Sequence, residues 1–392
     1  MMNMLRKSLA IEIDNFVNFM QRDLIKQKPF SKSAFVQSRM KIIPEVFKRL
    51  SELLIQGFYT DNDLSVKLWR GFRLLAIDGS HINLPMTKEL KTIYGLSKNQ
   101  TKTAVVQARC SIMYDVVNKY VLDGILAPLK QGEKGLAESH LEHCQANDLL
   151  IYDRNYPSYD FIYQHIDKGL DYLMRSKISF NQATTDFHAS GKTSLIVDFY
   201  PRKKAKTSDK PYEKDTPVRV RLIRVELPKG EVEILITSLL DSEQYPTKLF
   251  KKLYFKRWDI ETFYDELKNK LKVEHFSGYS NQSILQDFYA ALFVSNVQTL
   301  IVSELEEEIA VQDQTKKLNY KVNNNLSYGF LKNRILELFL TEDSMESATL
   351  ELKALFKKHL VPIRPNRSYE RNTSKNRSRR KHKVTKNQKD TL

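Results

Sequence analysis

Cysteine is nearly missing from this 392-residue chain, which has only Cys110 and Cys144. Their spacing matches neither a zinc-ligand pair nor a disulfide framework, so a thiol-held metal is excluded and a reducing compartment fits. Long apolar runs are missing too. The most apolar stretch, AALFVSNVQTLIV at 290–302, reads as too short and too polar to span a bilayer. The start, MMNMLRKSLAIEIDNFVNFM, carries acids inside its apolar pattern and has no small-residue cleavage site, so it reads as an amphipathic helix rather than a signal. No internal repeat is present. Acidic residues are also in deficit, with 47 Asp and Glu against 63 Lys and Arg, a formal net charge of +16. That balance points to a polyanionic partner, most simply nucleic acid.

A hydrophobic fraction of 41% is enough for a true core, and the length suggests two or three domains or one large domain with insertions. The excess charge is uneven. Residues 362–392 hold eleven Lys or Arg against Glu370 and Asp390, so nine of the sixteen net charges lie in the last segment. This basic segment has almost no apolar residues, cannot bury a core, and is expected to be disordered until it meets phosphates.

Residues 1–70 read as a helical N-terminal region. In Pro29–Phe35 a hydroxyl cap precedes a helix carrying Gln37, Arg39 and Lys41. The second helix of a helix-turn-helix would look like this, and so would any capped surface helix, leaving Arg39 and Lys41 as DNA-binding candidates. Residues 71–177 then alternate in the order strand, strand, strand, helix, strand, helix, strand, predicting an α/β sheet flanked by helices. FRLLAIDGSHINLP reads as a strand with Asp78 at its exit, and NDLLIYDRNYP as another ending at Asp153. Residues 178–245 read as a β-rich insertion, 246–310 resume the core, and 311–361 are helical.

One stretch stands out. YFKRWDIETFYDELKNKL, at 254–271, reads as a helix with Tyr254, Arg257, Glu261 and Lys268 within about 60° of one another. Leu249, Leu253, Ile260, Leu267 and Leu271 form an apolar stripe roughly 90° away. Alone, that polar face is an ordinary solvated surface with i,i+4 pairs. Asp78 and Asp153 change its meaning. Three carboxylates converging from two strands and a helix make a hard-oxygen site suited to Mg²⁺, and paired ions there would serve in-line phosphoryl displacement. Asp160 and Asp265 lie near these motifs as competing ligands, Asp160 on the following helix and pointing elsewhere and Asp265 one turn after Glu261, while His81 reads as a capping or packing residue.

The spacing Tyr254-x2-Arg257-x3-Glu261-x6-Lys268, with IDGSHINLP and IYDRNYPSYDF, resembles the YREK signature and aspartate motifs of DDE transposases of the insertion sequence 4 type. The resemblance implies an RNase H-like mixed sheet flanked by helices and a metal triad of Asp78, Asp153 and Glu261. It implies Mg²⁺, with Mn²⁺ as substitute, and Tyr254, Arg257 and Lys268 on DNA-end phosphates. The implied partners are the terminal inverted repeats and target DNA, bound as a dimer by a cytoplasmic, nucleoid-associated protein with no membrane role. Some relatives stack a flipped base on a Trp in the insertion. Here the two tryptophans are Trp69 and Trp258, leaving Phe199, Tyr200 or Tyr212 for such a role. Two alternatives stay open: a decayed or domesticated DNA-binding relative, and a nuclease of the same fold.

Overall fold

The computed structural model describes residues 9–22, 30–61, 65–98, 104–202, 212–228, 230–313, 318–339 and 342–364. The basic segment from 365 onward therefore lies outside the described residues. In chain order come α1 (Leu9–Arg22), α2 (Lys32–Arg39), α3 (Glu45–Asp61), β1 (Arg73–Leu84), α4 (Lys88–Tyr94), β2 (Leu96–Lys98), β3 (Ala104–Asp115), β4 (Val121–Pro128) and α5 (Glu133–His140). These are followed by β5 (Asp148–Tyr152), α6 (Tyr159–Asp167), β6 (Asp171–Ser176), α7 (Gln182–Ser190), β7 (Ser194–Phe199), β8 (Val218–Glu226) and β9 (Val232–Thr237). The C-terminal part holds α8 (Lys248–Phe255), α9 (Trp258–Asp265), α10 (Asn281–Asp313), β10 (Tyr320–Val322), α11 (Asn324–Arg334), α12 (Glu342–Lys358) and β11 (Leu360–Pro362).

Two compact units form. Among the described residues, one takes those within 62–81 and 109–264 and the other those within 1–61, 82–108 and 265–392. The first is built on a mixed sheet of nine strands in the order β2-β3-β1-β5-β6-β9-β8-β7, with β4 on β3; β2 and the outer ends of β1 and β3 belong to the second unit. Strand β5, DLLIY, is buried throughout, as a central parallel strand covered on both faces must be. It pairs in parallel with β1 and β6. The turn between β3 and β4 is set by Asp115, whose Oδ1 accepts from Val117 N at 2.8 Å and Asn118 N at 2.7 Å, while Lys119 takes a φ of +68°. The insertion extends this same sheet: β9 runs antiparallel to β6, then β8 and β7 follow. Leu75, Ile77, Leu150, Phe161, Phe187 and Leu222 are among the side chains packed into the core of this unit.

Two expectations change. β1 does not stop at Asp78; it runs to Leu84, because the apolar alternation continues through Ile82 and Leu84, both buried. The expected single helix over 254–271 is three segments. Lys256 N and Arg257 N bond to the carbonyls three residues back, Leu253 and Tyr254, which tightens the chain into a turn between α8 and α9. Beyond α9 a π-helical turn covers Glu266–Lys270.

In the second unit Ser31 caps α2, its Oγ accepting from Ala34 N at 3.2 Å. Leu9, Ile13 and Val17 of α1 pack with Phe30 and Phe35. From α3, Ser51, Ile55 and Phe58 are buried, and Ser51 Oγ accepts from Asn296 Nδ2 of α10 at 2.8 Å. Helix α10 runs beyond the apolar stretch at 290–302 on both sides. Asn281–Ala310 is long and apolar enough to cross a bilayer, yet 72% of its apolar window is buried inside the protein, as in a core helix.

Candidate active site

The register of β1 against β5 brings the two aspartates level. Arg73 pairs with Asp148 and Ala76 with Ile151, an offset of 75 residues (148 − 73). The same offset sets Asp78 across from Asp153 (153 − 78 = 75), two positions beyond the last pair. Neighbouring strands run about 4.8 Å apart, so continuing the register places Asp78 and Asp153 at equivalent positions where β5 has ended and β1 continues, near enough for Asp153 to raise the Asp78 pKa. Burial pushes the Asp78 carboxyl up to about 6, partly offset by the Gly79 N–H and Arg257, with Asp153 and Glu261 adding like-charge repulsion. Gly79 N donates to Asp78 Oδ1 at 2.8 Å, and Asp153 Oδ1 accepts from Asn155 N at 2.7 Å.

Glu261 comes from the first turn of α9. Arg257, in the turn just before it, puts Nη2 2.7 Å from Glu261 Oε1 and Nη1 3.6 Å from Asp78 Oδ2. The guanidinium is 7% exposed and lies 5.0 Å from the Trp258 ring centroid and 5.9 Å from that of Tyr254. Burial works against its charge, but Glu261, Tyr254 and Asp78 hold its pKa above the ordinary guanidinium value. The tight turn after α8 is what turns Arg257 toward both acids. Tyr254 is buried, with no hydrogen bond to its hydroxyl, and burial pushes that hydroxyl up to about 12 despite Arg257 and Arg175.

With Arg257 between Asp78 and Glu261, no three acid, His or Cys side chains among the described residues stand close enough to hold a metal ion. The donor set nevertheless fits a divalent cation in kind. It is all oxygen, two members are level in the sheet, and burial disfavours the Asp78 charge, a cost that a bound cation would offset.

Sequence spacing did not reveal three further supports. Tyr264 donates its hydroxyl to the Asp78 carbonyl at 2.7 Å, with Cys110 O at 3.3 Å, which pins β1 beside β3. Arg221, buried in β8, donates to the carbonyls of Asp241 at 3.2 Å and Tyr245 at 2.8 Å and lies 5.5 Å from the Phe250 ring centroid. The insertion thereby holds the loop that launches α8. Tyr156 is buried near the acids, and burial, then Asp78, Glu133 and Asp153, raise its hydroxyl pKa far above normal. Each is an aromatic or basic residue in a core position, where pattern alone signals only packing.

The remaining candidates separate by environment. Lys268 lies in the π-helical turn of the second unit. Asp160 sits in the first turn of α6 and accepts from the Tyr212 hydroxyl. Asp265 is exposed and accepts from Asn269 Nδ2 at 2.6 Å, and His81 is exposed. Of the three insertion aromatics, Phe199 and Tyr212 are buried while Tyr200 is 59% exposed. Arg39 is spent within its own unit, pairing with Asp287 at 2.9 Å and bonding Gln286 and Ser277. Lys41 is exposed.

Residues 69–297 match the family described as "Transposase DDE domain". Over 305 residues the chain is 24% identical to "Transposase InsG for insertion sequence element IS4" of Escherichia coli (strain K12), covering 76% of this chain and 67% of that protein. It is 26% identical over 145 residues to "Putative transposase InsZ" of the same organism, covering 36% of this chain and 47% of that one. A cryo-EM structure of a piggyBac transposase synaptic complex with hairpin DNA aligns at TM-score 0.39 and 8% identity, covering 73% of this chain and 53% of that chain.

Proposed function

The chain belongs to the transposase DDE domain family, and we propose on that premise that it cuts DNA at inverted-repeat ends and joins the 3′-OH ends to target DNA. One observation carries the reading: the shared 75-residue offset that sets Asp78 level with Asp153, with Arg257 tying Asp78 to Glu261. Asp78, Asp153 and Glu261 would hold the divalent cation that the family uses, Mg²⁺ by the hardness of its oxygen ligands, with Mn²⁺ able to substitute. When bound, the cation activates water or a 3′-OH and offsets charge on the scissile phosphate.

The chain's own residues prepare that centre. Arg257 supplies the charge that lets Asp78 and Glu261 stand together, and its planar fork matches a phosphate once a carboxylate releases it. Lys268 would add a point charge for DNA phosphates, whereas the Tyr254 hydroxyl is buried and its ring lies beside the Arg257 guanidinium. The partners are the terminal repeats and target DNA in the bacterial nucleoid, and cutting two ends calls for two copies on the DNA.

Glu261→Gln, assayed on labelled inverted-repeat DNA with Mg²⁺, tests the triad. Strand cleavage should fall by more than about a hundredfold while DNA binding in Ca²⁺ stays near wild type. Asp265→Asn, one turn on, should cut normally. Glu261→Gln cleavage within about tenfold of wild type would sink the triad.

A further inference from the structure

The first turn of α5 meets the chain just beyond each aspartate. Glu133, its first residue, lies over Gly79, the residue after Asp78. A Cβ built on Gly79 would stand 3.1 Å from Glu133 Cγ and 3.4 Å from its Oε1, so any side chain there would crowd this carboxylate. Lys134, the next residue, brings Nζ to 3.5 Å from the Pro157 carbonyl, in the loop that follows Asp153. The other end of the helix is held by a buried polar cluster. His140 Nδ1 lies 2.8 Å from Asp123 Oδ2, and its Nε2 lies 3.0 Å from Ser111 Oγ. All three residues are buried, which anchors α5 to β3 and β4 and fixes where Glu133 stands.

Glu133 has a cation beside it. Arg109 of β3 puts Nη1 2.5 Å from Glu133 Oε1, which repeats the pairing of Arg257 with Glu261 at 2.7 Å. Tyr156 belongs to the same group. It is 1% exposed, and the charges acting on its hydroxyl are those of Asp78, Glu133, Asp153 and Arg109. Among the described residues that hydroxyl has no hydrogen-bond partner. A buried phenol ordinarily finds one, so its orphaned oxygen points to a polar ligand among these groups.

We infer that Glu133 is a fourth carboxylate of the acid centre, which helps to hold the divalent cation beside Asp78, and that Arg109 is its counter-ion until the cation binds. The inference rests on the acid-centre reading above and adds a residue that the three-acid pattern leaves out. A guanidinium and a divalent cation compete for the same carboxylate oxygens. Cation binding therefore frees Arg109, whose planar fork then suits a DNA phosphate. Mg²⁺ also keeps several waters when bound, and a water is the kind of partner that the Tyr156 hydroxyl lacks. The competing account is an ion pair that only ties β3 to α5. Under that account the loss of either partner does the same harm, whereas competition with a cation gives the two losses opposite signs.

Mn²⁺ uptake by the full-length chain without DNA, followed by the paramagnetic resonance of free Mn²⁺, separates the two. Glu133→Gln should weaken Mn²⁺ binding about tenfold or more. Arg109→Gln should tighten it about threefold or more, because a competing positive charge has gone. Urea unfolding in EDTA checks that both variants fold with the m-value of wild type. If Arg109→Gln does not fold, Arg109→Lys takes its place and should tighten binding by a smaller factor. Asp153→Asn is the control for the acid centre and should remove the strongest Mn²⁺ site. If Asp153→Asn loses that site while Glu133→Gln binds as wild type does, the acid centre stands and the inference falls. It falls as well if the Arg109 and Glu133 variants weaken binding alike. Should Asp153→Asn bind Mn²⁺ as tightly as wild type, the acid-centre reading itself fails and takes the inference with it.

Discussion

Asp78→Asn should make the metal-free protein more stable at neutral pH while destroying cleavage. The Asp78 carboxyl is raised from 3.8 to about 6, mainly by burial, so between those values the folded chain holds a proton that the unfolded chain has released. Folding stability therefore falls as pH rises through that window and levels off above it. The full penalty is about 2.2 pKa units, or about 3 kcal/mol, and about 2 kcal/mol of it accrues between pH 4.5 and 7.5. The side chain is 20% exposed, so solvent screening removes only part of this. Asn keeps the acceptor for the Gly79 N–H and gives up the weaker contact to Arg257 at 3.6 Å. Urea unfolding in EDTA at several pH values measures the effect. The stability of Asp78→Asn relative to wild type should rise by roughly 1–2 kcal/mol from pH 4.5 to 7.5, with equal m-values. A relative stability that is flat with pH, or falls, would refute the claim that burial of this charge strains the site.

Arg257→Ala and Lys268→Ala should each lower cleavage about ten- to a hundredfold with a smaller loss of overall DNA affinity, while Lys252→Ala serves as a surface control. Arg257→Ala should also move the acid limb of the cleavage–pH profile upward, because it removes a cation that lowers the Asp78 pKa. Arg39→Ala should cost about 2–3 kcal/mol in a denaturant melt and leave the salt dependence of DNA binding unchanged, since its guanidinium is committed to Asp287 and Gln286. Deleting 365–392 removes ten of the eleven cations beyond 361 and should flatten the slope of log K against log salt by several units, about 0.9 per phosphate contact. Tyr264→Phe should destabilise by about 1 kcal/mol and reduce cleavage, as it frees the Asp78 backbone.

Much of this molecule is readable from local chemistry. Hydrophobic periodicity marks β5 as a buried strand, Ser31 marks the start of α2, and the acid placed just after DLLIY is where a parallel strand ends. The family likeness rests on the same local signals, the order of two aspartate motifs and a spaced YREK set. These are properties of adjacent residues, and adjacency survives folding. What tertiary structure decided depends on distant partners. Asp78 is level with Asp153 only through the β1–β5 register, and it sits within a strand because Ile82 and Leu84 also find a core. A uniform helical count put Arg257 beside Glu261 but could not foresee the turn at Lys256–Arg257 that lets one guanidinium reach Asp78 as well. Arg39 looked like a DNA contact because charge is visible in sequence, whereas the buried carboxylate that captures it is about 250 residues away, on α10. Sequence by itself therefore determined which residues are the candidates for the chemistry. Packing decided which of them face one another, because a charge chooses its partner by distance in space.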